Sequence, residues 1–80
     1  MSEITVDLHG MTVYDALKHL EKVIAKAPKS VKTIVVIHGY KSGHGLKEMV
    51  RDQTQLRSKR IKRRKLTLNQ GETILELYDA

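Results

Sequence analysis

The chain reads as one α/β domain of the two-layer kind, with element order βαβαββ and a four-stranded sheet that carries both helices on one face. Three observations predict it. Within the first 38 residues a segment of strict apolar–polar alternation, a segment of helical spacing and a β-branched apolar run follow one another, which is the pattern of a βαβ unit. A second, shorter helical stripe comes next. Two further extended segments then meet across Asn69-Gln70-Gly71, a turn sequence. With two helices available, one face of the sheet stays open.

In residues 3–9, Ile4, Val6 and Leu8 share one face and Thr5, Asp7 and His9 the other, so this is a half-buried strand, stopped at Gly10. Thr12 is placed as an N-cap with Asp15 three residues on, and Val13, Leu17, Leu20 and Ile24 recur at helical spacing, giving a helix over 13–26. Pro28 cannot continue the hydrogen-bond ladder and closes it. Residues 32–38 are almost continuously apolar and β-branched, the mark of a strand interior to a sheet. Glycines 39, 43 and 45 make the next segment a loop, and Leu46, Met49, Val50 and Leu56 mark a helix over 45–57. Residues 59–68 form a strand despite their charge, and residues 72–78 alternate as the last one.

Eighty residues make a single domain, 1–80, which buries only about 60 to 65% of the surface it exposes when unfolded. The absence of cysteine excludes disulfides and thiolate metal sites. The N-terminus lacks the basic-then-apolar pattern of a signal peptide and no apolar run approaches a bilayer span, so a cytoplasmic protein is expected. Fifteen Lys and Arg against nine Asp and Glu give a net charge of +6. That excess is one-sided: residues 1–40 carry net +1 and residues 41–80 net +5. A one-sided basic surface suits a polyphosphate partner, and the basic segment has only Ile61 among its charges, which is no apolar face for a membrane.

A βαβ unit is parallel, so both of its strands end on the same rim, and adjacent strands lie only about 4.8 Å apart. That rim carries His9-Gly10 and His38-Gly39, and open α/β sheets bind ligands at the carboxyl ends of their strands. Asp7 and His9 are two apart and leave the strand together. A carboxylate beside an imidazole holds its tautomer, which suits a general base or acid near neutral pH. Asp7, His9 and His38 are therefore the candidate catalytic residues, with the two imidazoles dividing the proton transfers of phosphodiester cleavage. His44 is a third candidate imidazole. Gly10, Gly39, Gly43 and Gly45 let backbone amides approach a phosphate, and Lys47 in the next helical turn is a candidate phosphate contact. Tyr40 is placed near a base. Seven basic residues in the nine of 57–65, among them Arg60, Lys62, Arg63 and Arg64, are candidates for backbone phosphate binding. The plainer alternatives are histidines that cap strands, an Asp7 that accepts backbone amides, glycines that only permit positive φ, and lysines that protect a sheet edge.

Val6-Asp7-Leu8-His9-Gly10 resembles the first motif of Smr (small MutS-related) domains, and Ile37-His38-Gly39-Tyr40 through Gly45-Leu46-Lys47 resembles their second. The resemblance covers nearly the whole chain. It implies a mixed four-stranded sheet like that of the C-terminal domain of translation initiation factor 3, and nuclease activity on DNA or RNA. It carries Asp7 and His9 onto the family's strand motif, and His38, Gly39 and Lys47 onto the second. The chain departs from the family pattern before its last strand, where Asn69-Gln70-Gly71 keeps one glycine of a usual pair.

The expected function is an endonuclease on RNA or DNA, RNA being favoured because its 2′-hydroxyl supplies a nucleophile. The alternative is a nucleic-acid-binding module without catalysis, acting with ribosomes or repair machinery, and a weaker third reading is a small-anion or nucleotide site on the same rim. No cofactor is required by either leading reading, a divalent metal stays open, and a monomer is the default.

Overall fold

The computed structural model of the chain describes residues 3–39 and 45–78. The elements are β1 (Glu3–Asp7), α1 (Val13–Lys26), β2 (Thr33–Ile37), α2 (Leu46–Arg51), β3 (Ile61–Leu66) and β4 (Glu72–Leu77). They form one mixed sheet in the order β1-β2-β4-β3, with β1 parallel to β2 and the remaining neighbours antiparallel. Because β4 is antiparallel to both β2 and β3, β1, β2 and β3 all run the same way.

Register puts Ile4 beside Ile34 and Val6 beside Val36, then Ile34 beside Leu75 and Val36 beside Thr73. These residues share one face, and there they meet Ala16, Leu20 and Ile24 of α1 and Leu46, Met49 and Val50 of α2 in a single core. The opposite face, with Thr5, Asp7, Val35, Ile37, Ile74 and Glu76, has no helix over it and is half-buried to exposed.

α1 spans the predicted residues, and Thr12 caps it by accepting from the Asp15 amide at 3.1 Å. α2 is shorter than its hydrophobic stripe suggests. Asp52 ends it by accepting from the amide and hydroxyl of Thr54 and from Gln55 Nε2, which turns the chain, while Leu56 still reaches the core from that turn. A stripe of apolar side chains records burial, and burial continues here after the helical hydrogen bonds have stopped. β3 is also shorter than predicted and carries an irregularity between Ile61 and Arg63 that shifts its register against β4.

Candidate functional site

Two glycines turn the chain at the rim with positive φ, Gly10 at 83° after β1 and Gly39 at 76° after β2. L-residues with a Cβ seldom adopt that conformation, so both turns favour glycine. A third, Gly45 at 87°, precedes α2, and a Cβ there would lie 3.3 Å from Val13 Cγ2.

Between β1 and Gly10, Asp7 Oδ1 accepts twice from His9, from its amide at 3.0 Å and from its ring Nδ1 at 2.7 Å. Asp7 therefore meets a backbone amide and orients an imidazole at once. The side-chain hydrogen bond from His9, and next the one from the His9 amide, hold the Asp7 carboxyl below the usual aspartate range. A carboxylate can only accept, so Nδ1 bears a proton and donates it to Asp7. The pair stands in water: the side chains of His9 and Asp7 are 75% and 51% exposed.

The structure does not bring His38 into that pair. In register with β1, His38 follows Leu8 onto the helix-covered face, and it is fully buried at 0% exposure. Its Nδ1 lies 2.8 Å from Gly39 O and its Nε2 lies 2.8 Å from Thr73 Oγ1. The carbonyl accepts, so Nδ1 is the donor, and Nε2 accepts from the Thr73 hydroxyl. The same hydroxyl oxygen accepts from Arg51 Nε at 2.8 Å, and Arg51 Nη2 reaches Glu72 O at 3.3 Å. Arg51, Thr73, His38 and Gly39 thus form a chain in which every proton is assigned, with the imidazole neutral. Burial pushes the His38 pKa down and outweighs the upward pull of the Gly39 hydrogen bond, with the charges of Arg51 and then Lys47 adding to the lowering and Glu48 opposing it. This histidine has no open nitrogen to offer a substrate. What it does is fix the first peptide of the loop that starts at Gly39, with Gly71 O accepting from the His38 and Gly39 amides at 2.9 Å each.

Arg51 and Thr73 gave no signal in the sequence, because an arginine in a polar helix end and a threonine in a strand are ordinary. Lys47 is half-buried in the first turn of α2. With six residues, α2 is too short for a strong dipole, so the expected anion site depends on the loop. Tyr40, Gly43 and His44 lie outside the described residues. Among the described residues no group of three or more His, Asp or Glu side chains could hold a metal ion.

The basic segment divides into two populations. Arg60 Nη1 donates to Ile24 O and Ala27 O, both at 2.7 Å, and so satisfies the carbonyl end of α1. Arg64 donates from Nε to Val50 O at 2.7 Å and from Nη2 to Leu56 O, closing α2 and the turn beyond it. These two cations, expected at a phosphate backbone, are engaged by the protein's own carbonyls. Arg63 and Lys65 flank Glu76 at 3.0 and 3.4 Å on the open face. Lys62 is exposed at the register shift of β3.

A family model described as the Smr domain matches residues 6–73. Among solved structures, the Smr domain of Thermus thermophilus MutS2 is similar, at 26% sequence identity and a TM-score of 0.77, with 92% of this chain and 96% of that one covered. No curated protein matches the chain. The matched span takes in Asp7, His9, His38, Arg51 and Thr73. No helix among the described residues is long and apolar enough to cross a membrane.

Proposed function

The chain belongs to the Smr domain family, and from that premise we propose that it binds the phosphodiester backbone of nucleic acid and cleaves it at the Asp7–His9 pair, with RNA as the preferred substrate. The observation that carries this reading is the 2.7 Å contact between Asp7 Oδ1 and His9 Nδ1 at an open rim. It leaves Nε2 as a base that substrate can reach. On RNA, Nε2 takes the proton of the 2′-hydroxyl as that oxygen attacks phosphorus. The bond to O5′ breaks and O5′ takes a proton from water, giving a 2′,3′-cyclic phosphate and a 5′-hydroxyl. Asp7 steadies the imidazolium until it returns its proton to solvent. His38 acts in this scheme only by holding the Gly39 loop. DNA lacks the 2′-hydroxyl and more often requires a metal-activated water.

The test is incubation of wild type, His9→Ala and Asp7→Asn with labelled single- and double-stranded RNA and DNA, with and without EDTA. RNA cleavage that resists EDTA and falls by about 100-fold or more in His9→Ala, with binding retained, supports the mechanism. Undiminished cleavage by His9→Ala excludes it. A second reading, binding without cleavage, is favoured by the burial of His38, which leaves His9 as the one described imidazole at this rim. It predicts retained nucleic acid and no products from any substrate.

A further inference from the structure

The cations of the basic segment that neither pair with a carboxylate nor cap a helix lie at a different place from the rim. Two adjoining open clefts, of 530 and 650 Å³, run between the segment that follows α2 and the edge strand β3, and they share Gln53 and Arg64. Arg57 and Lys59 line one, and Lys62 lines the other together with Arg51, Arg63 and the carboxylates of Glu48 and Asp52. The side chains of Arg57, Lys59 and Lys62 are exposed, and none pairs with a carboxylate among the described residues. Arg57 is steadied by its Nε, which donates to Thr54 O at 3.1 Å and leaves the rest of its guanidinium outward. The lining has no aromatic ring, so nothing in the clefts stacks a base.

Resting on the nucleic-acid reading above, we propose that this furrow is a second contact for nucleic acid, a track that grips the phosphate backbone through Arg57, Lys59 and Lys62, while Arg60 and Arg64 serve as its structural supports. β3 runs parallel to β1, and the sheet order puts the two strands at opposite edges. Residues 57–62 precede and open β3, so they lie at the end of the sheet opposite His9. Three strand spacings and about five residues of rise separate the two places by roughly 20 Å. A duplex that touches both must span about six base-pair steps at 3.4 Å each. An acidic protein segment is the competing occupant. The furrow favours a regular polyanion because its exposed cations are spaced along an edge whose apolar lining is only Ile61 and the fully buried Leu56.

Binding of fluorescent duplexes of 4, 8 and 16 base pairs, followed by anisotropy across a salt series, tests the proposal. The proteins are wild type, a triple variant Arg57→Ala, Lys59→Ala, Lys62→Ala, and a charge-matched control Lys22→Ala, Lys26→Ala, Lys29→Ala, whose residues line neither cleft. The furrow variant is expected to lose at least about 10-fold in affinity at low salt and to lower the slope of log K against log salt by about 2 to 3, with the control losing less on both counts. Because the three side chains are exposed, its thermal melting should match wild type. Wild type should gain affinity steeply between 4 and 8 base pairs. If wild type binds and the two triple variants behave alike, the furrow is not the track although the nucleic-acid reading stands. If wild type binds no duplex at low salt, that reading fails with it. If polyglutamate displaces the duplex as well as unlabelled duplex does at equal charge, the furrow is an acidic-protein site and the proposal is overturned.

Discussion

Protonating His38 would set a second N–H against Thr73 Oγ1, which already accepts from Arg51 Nε. The neutral ring is therefore the folded form, and its pKa lies below the ordinary 6.5. The unfolded chain takes up the proton first as pH falls. His38 thus contributes its full share of stability above about pH 6.5 and loses it progressively as pH drops through that value toward the folded pKa. Urea midpoints between pH 8 and pH 5 should fall for wild type and fall less steeply for His38→Asn, which starts lower at pH 8; parallel curves would show that His38 is not the titrating group. On the proposed mechanism, Asp7→Asn should lower kcat by roughly 10-fold or more with KM little changed, since Asp7 would there orient a proton carrier without touching substrate. The two histidines have the same neighbour, a glycine, and differ in burial.

Helix ends are where the basic segment shows its second role. The last carbonyls of α1 have no intrahelical donor, and Arg60 reaches across 33 residues of sequence to supply one to Ala27 O. Arg60→Ala should cost about 1 to 3 kcal/mol in a urea titration, as expected when hydrogen bonds from a charged group are lost, and Lys62→Ala should stay within about 0.5 kcal/mol of wild type. Equal losses would mean that charge and not capping decides the effect. At the other end of α1, Thr12→Ala should cost about 1 kcal/mol through loss of the cap on the Asp15 amide. That cap was legible in the sequence because Thr12 and Asp15 are local. The Arg60 cap was not, since nothing in a run of arginines and lysines says which of them turns inward.

The molecule has a single core between one face of the sheet and two helices, so its stability is collective. Leu75 lies at 0% exposure between Ile34 and Arg64 of its neighbouring strands. Leu75→Ala should cost about 2 to 5 kcal/mol, a large part of the roughly 4 to 12 kcal/mol expected for 80 residues. Wild type should unfold in one transition whether followed by far-UV circular dichroism or by tyrosine fluorescence; two separated transitions would contradict a single core. The basic edge and the Asp7–His9 rim lie at opposite corners of this one body, so a ligand that meets both must cross it.

Alternation in residues 3–9 was enough to determine that Asp7 and His9 leave β1 together, because only one face of that strand is apolar. The element order, the parallel β1–β2 pair and the bounds of α1 were also in the sequence, each carried by local periodicity and by the steric rule for βαβ crossovers. The face of His38 was not, since β2 is apolar on both sides and its pattern cannot say which parity meets the helices. Only the pairing of Val36 with Val6 and Thr73 decided that His38 continues the buried row. Tertiary structure likewise sorted the basic run, turning Arg60 and Arg64 to carbonyls far away in sequence and leaving Arg57, Lys59 and Lys62 in water. Periodicity reports how a segment is partitioned between core and solvent, and partners distant in the chain are set by the packing that follows.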